Sequence, residues 1–278
     1  MKSSVYAYYP GCTLHSTARE YDVSARLVCQ ALGIELREVR DWVCCGASSA
    51  HSTSRLLGLV LPARELKAAE EMELPLAVAC AMCYSRLKLA AHELGDRAML
   101  ELVKGIVGGD HPEAVEVVHL LEVLDGRIDV PPKRPLTGLK VACYYGCLLV
   151  RPQGILYGDD TERPQAMDRL MQALGAETVD WDFKTECCGA SLPLTRRDIV
   201  LTLSHRLLSH ARQAGADCIA VACPMCHSNL DAYQREKEIP VLYFTQLLGL
   251  ALGLSPRELL LNKHFVDPVP MLKAKGLA

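Results

Sequence analysis

The spacing of apolar residues along this chain alternates between two kinds. Residues 5–9 (VYAYY) are apolar or aromatic at every position, as a short strand buried on both faces requires. Residues 18–32 then carry Val23, Leu27, Val28, Ala31 and Leu32 at helical spacing and end at Gly33, which accepts the left-handed conformation that closes helices. A second strand is predicted over 34–39, a long helix over 54–72 kinked near Pro62, a third strand over 76–79, and a helix opening at Cys80. The order returns in the second part of the chain, with strands predicted at 140–145, 177–181 and 218–222. Strands alternating with helices point to an α/β fold with a mostly parallel sheet.

The return is a repeat of sequence as well as of pattern. AVACAMC at 77–83 recurs as AVACPMC at 220–226, an offset of 143, and CCGAS at 44–48 recurs at 187–191 with the same offset. YYPGC ending at Cys12 matches YYGC ending at Cys147, so the second part carries eight extra residues between its first and second cysteine sites. QALG occurs at 30–33 and at 172–175, and HLLEVL from His119 resembles QLLGLAL from Gln246. An internal duplication accounts for all of these matches. The expected organisation is an N-terminal repeat over 1–125, a proline- and glycine-rich linker over 126–138, and a C-terminal repeat over 139–278, each with a small mostly parallel sheet flanked by helices.

Composition narrows the function. Half of the 278 residues are apolar, ample for a buried core, and a net charge of −3 with scattered basic residues gives no field for nucleic acid. No apolar run reaches the roughly 18 residues of a membrane span, and the start of the chain lacks the apolar core of a secretion signal. A cytoplasmic protein is expected. Thirteen cysteines are far more than an ordinary cytosolic chain of this length carries, and in a reducing compartment they point to metal or redox chemistry before disulfides.

Ten of the cysteines are repeated: Cys12, Cys44, Cys45, Cys80 and Cys83, then Cys147, Cys187, Cys188, Cys223 and Cys226. In the predicted scaffold each falls at a strand end or helix start, the rim where open α/β sheets bind ligands. Zinc takes four ligands and leaves one of five thiolates over, whereas a multi-iron cluster spreads its attachment points and prefers soft sulfur. A disulfide framework or two zinc sites are the alternatives. Gly11, Gly46, Gly146 and Gly189 beside these cysteines fit tight turns running close to a bulky cluster. Cys29, Cys143 and Cys218 lie in apolar stripes and read as core residues. His15 and His51 have no repeated counterpart and read as loop residues. His227 matches Tyr84 and is not read as a ligand. Arg151 in LLVRP is either solvated or a contact for an anionic substrate group. The charged stretch ARELKAAEEME reads as the exposed face of a helix.

The order PGC, CCG, CxxC, repeated as YYGC, CCG, CPMC, resembles the cysteine-rich CCG domains of the B-type subunit of heterodisulfide reductase, and YYGCLLVRP from Tyr144 and the LNKHFVDP ending strengthen the likeness. The resemblance implies one non-cubane four-iron four-sulfur cluster in each half, held by the five cysteines of that half. It implies reduction or formation of a small-molecule disulfide, which in methanogens joins coenzyme M and coenzyme B. The implied partners are a flavin-containing subunit and a ferredoxin-like iron–sulfur subunit. No glycine-rich turn for cradling a flavin's phosphates is present in this chain, so electrons are expected from those partners. A non-catalytic electron-transfer subunit of a larger complex is the alternative reading.

Overall fold

A computed structural model describes residues 4–47, 49–108, 115–127, 131–158, 160–234 and 239–278; residues 128–130 of the predicted linker lie outside this set. Eight strands form two sheets. The first contains β1 (Val5–Tyr9), β2 (Glu35–Glu38), β3 (Leu76–Val78) and β4 (Val117–His119) in the order β2-β1-β3-β4. The second contains β5 (Lys140–Tyr144), β6 (Glu177–Thr178), β7 (Cys218–Val221) and β8 (Val241–Tyr243) in the order β6-β5-β7-β8. Every pairing is parallel.

The sequence explains this layout. Central strands of a parallel sheet are covered on both faces, and β3 and β7 are buried at every residue. The edge strand β2 reads ELRE and is largely exposed, its charged side chains blunting an otherwise open edge. The helix predicted over 54–72 is one helix, Arg55–Glu70, with Pro62 inside it and buried. β4 and β8 have no counterpart among the predicted strands, because three residues are too few to show a period. They also correct the match between the tails. His119 and Tyr243 each end a fourth strand and precede a helix, Leu120–Leu124 and Phe244–Ala251, so His119 corresponds to Tyr243 and not to Gln246.

The two halves share a single core. The helix Arg19–Ala31 of the first packs on Phe244–Ala251 of the second. There the hydroxyls of Ser24 and Thr245, both buried, lie 2.7 Å apart. Among the described residues no helix is long and apolar enough to cross a membrane.

Candidate metal centres

The repeated cysteines gather at the C-terminal ends of the strands. Cys12 follows β1 on a one-turn helix, Gly11–His15, and Cys44 and Cys45 lie in the loop after β2. Cys80 stands directly after β3 with extended backbone, so Cys83 falls in the first turn of the helix Ala81–Glu93. The second half repeats the arrangement, with Cys147 after β5 and Cys223 extended before the helix Pro224–Ala232. Both sets sit where the strand order reverses around the first strand of the sheet, the crevice in which open parallel sheets bind ligands.

Within each half the thiols are mutually close, and all thirteen cysteines are free. Cys12 Sγ lies 3.8 Å from Cys44 Sγ, and Cys45 Sγ lies 3.2 Å from Cys83 Sγ. In the second half Cys188 Sγ is 3.5 Å from Cys226 Sγ, and Cys147 and Cys187 interact electrostatically. The thiols of Cys80 and Cys223 interact electrostatically across the contact between the halves, each shifting the other's proton affinity. The two five-thiol sets are therefore contiguous. Cys12, Cys44 and Cys187 are exposed, Cys147 is half-buried, and the other six are buried.

Proximity decides which thiols hold protons. Interaction with Cys44 and then Cys83 holds the Cys45 thiol well below its ordinary value despite burial, and interaction with Cys147 brings Cys187 down to about 6. Cys223 is lowered in the same way by Cys226 and Cys80. Their partners Cys44, Cys83, Cys147, Cys80 and Cys226 are pushed up. Cys29, Cys143 and Cys218 are wholly buried in the core, and burial pushes Cys29 up to about 12.

Several residues that hold the cysteine loops were not singled out in the sequence. Tyr9 Oη donates to the carbonyl of Val43 at 2.7 Å and accepts from Cys45 N at 2.9 Å; in the second half Tyr144 Oη donates to the carbonyl of Glu186 at 2.6 Å. The repeated YYPGC and YYGC carried that signal. Asn229 Nδ2 donates to the carbonyl of Cys188 at 3.1 Å, and the two glycines already marked in the sequence add their own bonds, Gly46 N to Cys44 Sγ at 3.4 Å and Gly189 N to Cys187 Sγ at 3.3 Å. Glu65 accepts from Val43 N at 2.8 Å and is completely buried, which corrects its placement on an exposed helix face.

Cross-half contacts fix the CxxC segments. His119 Nδ1 accepts from Leu121 N at 3.1 Å, so Nε2 carries the proton and points at the carbonyls of Ala79 (2.9 Å) and Ala222 (3.2 Å), the residues just before Cys80 and Cys223. Tyr21 Oη also donates to Ala79 O at 2.9 Å.

The remaining candidates lie apart. His15 packs edge-on to Trp42, and His51 is exposed. Arg151 is engaged by both carboxylate oxygens of Glu162 at 2.8 Å and by Thr185 Oγ1 at 3.1 Å. His227, Asp231 and His264 are buried with ligand atoms within 4.8 Å of one another, yet each already has protein partners. His227 Nε2 lies 3.0 Å from Val241 O and 2.9 Å from His264 Nδ1, and Asp231 accepts from Phe265 N and Val266 N. This network fastens the LNKHFVDP segment to the helix behind the second CxxC.

The cysteine sets fit iron–sulfur clusters on one further observation. A Cβ on Gly11 would lie 3.2 Å from Cys83 Sγ, and a Cβ on Gly146 would lie 3.2 Å from Cys226 Sγ; both glycines have positive φ, +70° and +67°. The backbone beside each set is thus kept bare on the side facing sulfur. Gly46 and Gly189 depart from the expectation, since a Cβ there would meet Ala50 and Leu61, or Val200, away from the thiols.

A family model described as a cysteine-rich domain, CCG, matches residues 6–88 and again 141–231. The chain is 34% identical over 275 residues to the 8-methylmenaquinol:fumarate reductase membrane anchor subunit of Wolinella succinogenes, covering 94% of this chain and 97% of that one. It is 32% identical over 286 residues to the B-type subunit of the ferredoxin/F420H2-dependent CoB-CoM heterodisulfide reductase of Methanosarcina acetivorans, covering 95% and 94%. A crystal structure of a hypothetical protein from Helicobacter pylori shares the fold with a TM-score of 0.79 at 14% identity; it aligns with 96% of this chain, which spans about half (53%) of that chain. With two cysteine-rich domains over its duplicated halves and relatives aligned along nearly its whole length, the chain belongs to the heterodisulfide reductase B-type family of iron–sulfur redox subunits.

Proposed function

We propose that the halves 1–125 and 139–278, joined by 126–138, each hold one non-cubane four-iron four-sulfur cluster, on Cys12, Cys44, Cys45, Cys80 and Cys83 and on Cys147, Cys187, Cys188, Cys223 and Cys226. On this reading the chain is the catalytic subunit that reduces or forms a small-molecule disulfide: one disulfide, two electrons and two protons give two thiols. Such clusters, when bound, supply one-electron redox chemistry next to sulfur. The chain's own residues do the positioning. His119 and Tyr21 fix the backbone at Ala79 and Ala222, and Gly46 N and Gly189 N donate to cysteine sulfur, which moderates negative charge there. A cytoplasmic complex with a flavin-containing subunit and a ferredoxin-like subunit would deliver the electrons.

The observation that carries this reading is the reach of His119 Nε2 to both Ala79 O and Ala222 O, the residues before Cys80 and Cys223, which makes the two five-thiol sets neighbours that can serve the two sulfurs of one disulfide. The test is to remove one cluster at a time with Cys83→Ser and, separately, Cys226→Ser, confirming by iron content and spectroscopy that the other cluster is intact. Disulfide turnover with an artificial donor is expected to fall by about a hundredfold or more in both variants.

A second reading is favoured by the Wolinella succinogenes relative, whose name places it as the anchor subunit of a fumarate reductase. There the chain would relay electrons between partners without touching a disulfide. Near-wild-type turnover in either single-cluster variant supports that reading over the first.

A further inference from the structure

The two halves differ in one chemical respect close to the cysteine loops. In the first, the helix Arg55–Glu70 buries the carboxyl of Glu65 completely. Its Oε1 accepts from the main-chain N–H of Val43, in the segment that Tyr9 clamps from the other side, while its Oε2 is buried with no hydrogen-bond partner. In the second half the position 143 residues further on is Leu208, buried on the helix Arg197–Gln213, which offers no proton-binding group.

Glu65 also lines a cavity of about 870 Å³ between its own helix, the loop after β2 and the end of the helix Arg97–Val107. Water in that cavity stands beside the helix that carries the carboxyl, while the carboxyl itself is closed off in this structure. The charged groups around it leave Oε2 unpaired. Arg64 of the same helix donates to the main-chain carbonyl of Asp41 and Lys67 donates to that of Gly108. Glu38, Arg40, Asp41 and Glu71 line the cavity, whereas Ile106 and Val107 bring no charge. Toward the core, Tyr9 and Cys45 are the titratable groups that face it; burial raises Glu65 to about 7 against the lowering pull of the Val43 N–H and Arg64, with Cys45 adding a smaller upward push.

We infer that Glu65 is a redox-linked proton acceptor serving the N-terminal half alone: when the site built on Cys12, Cys44, Cys45, Cys80 and Cys83 gains an electron, the Glu65 carboxylate takes up one proton from water in the cavity. The step balances. One electron enters the site, one proton leaves solvent, an O–H bond forms at Oε2, and no other bond is made or broken. The reason is electrostatic: an added negative charge in a weakly screened interior is compensated by the nearest group able to bind a proton. The inference rests on the cluster assignment proposed above.

The test is a redox titration of the cluster-loaded protein at a series of pH values, followed by electron paramagnetic resonance, with the N-terminal signal assigned from Cys226→Ser. The N-terminal midpoint is expected to fall as pH rises above about 7, approaching about 59 mV per pH unit, the one-electron equivalent of a tenfold change, while the C-terminal midpoint stays flat. Glu65→Gln keeps an acceptor for Val43 N and is expected to flatten the N-terminal slope. Infrared difference spectra of the wild type should show a protonated carboxyl on reduction, absent in Glu65→Gln. A wild-type protein that loads both clusters yet shows a flat N-terminal midpoint, or no protonated carboxyl, overturns the inference alone, whether or not the variant folds. A wild-type protein that loads no cluster overturns the function proposed above and this inference with it.

Discussion

The ring of Tyr21 in the first half stacks on the ring of Tyr243 in the second, with centroids 4.1 Å apart and planes within 7° of parallel. The same tyrosine reaches the carbonyl before Cys80, so the fit between the halves and the placement of one CxxC segment share a side chain. Tyr21→Phe keeps the stack and is expected to cost about 1 kcal/mol, the loss of one buried hydrogen bond whose acceptor still has His119. Tyr21→Ala opens a cavity at the contact and is expected to cost about 3–5 kcal/mol. Denaturant midpoints of the two variants measure the difference.

Thiol positions separate into cluster-holding and space-filling ones. Cys45→Ser or Cys188→Ser should lose the iron of one half, whereas Cys29→Ala or Cys218→Ala should keep all of it and cost about 1 kcal/mol or somewhat more in packing. Anaerobically purified wild type should contain about eight iron and about eight sulfide per chain. Iron analysis settles both points; zinc as the sole metal would show that the donor set was misjudged.

Gly11 and Gly146 are expected to behave alike despite lying in different halves. Alanine at either position faces a backbone strain of about 1–2 kcal/mol from positive φ and crowds the sulfur of Cys83 or Cys226. Each substitution should lower the iron content of its own half and leave the other at its wild-type level. Gly33→Ala shares the positive φ but meets nothing within 4 Å, so it should cost stability without iron.

Acid should loosen the fold before it reaches the carboxylate range. Burial lowers His119 and His264 to about 4 and His227 in the same direction, so all three are neutral in the folded chain. Between the ordinary histidine value near 6.5 and about 4 the unfolded chain binds more protons at these sites, and stability falls as pH falls through that window. For fully buried His119 the effect is on the order of 3 kcal/mol. Glu65, raised to about 7, and Glu20, also raised by burial, work in the opposite direction, favouring the folded state at low pH and losing that contribution as pH rises, but they are two groups against three. The thermal midpoint should therefore drop from pH 7 to pH 4.5, and the drop should shrink in His119→Gln.

Much of this architecture could be read from residue order, and the unread part has a physical character. The run VYAYY declared its strand because every position is apolar, and all ten clustered cysteines showed through the repeat itself. β4 and β8 did not show, since VVH and VLY are too short to carry a period and gain their pairing from neighbours already in place. Glu65 was misplaced because a glutamate amid charged residues on a helix looks solvated, and only the tertiary position of Val43 reveals a donor for it. The neighbours that matter most between the halves, Cys80 with Cys223 and His119 with Ala222, lie more than a hundred residues apart and follow from packing alone.

Because Cys12, Cys44 and Cys187 are exposed while Cys80, Cys83, Cys223 and Cys226 are buried, each thiol set has a mouth and a floor. Anything that comes to rest on the floor must first pass the mouth, and the CC pair, with one cysteine exposed and its neighbour buried, spans the threshold. The same geometry sets the sequence of damage, with oxidants meeting the outer sulfurs while the buried ones, among them the Cys80 and Cys223 that meet between the halves, are the last to be reached.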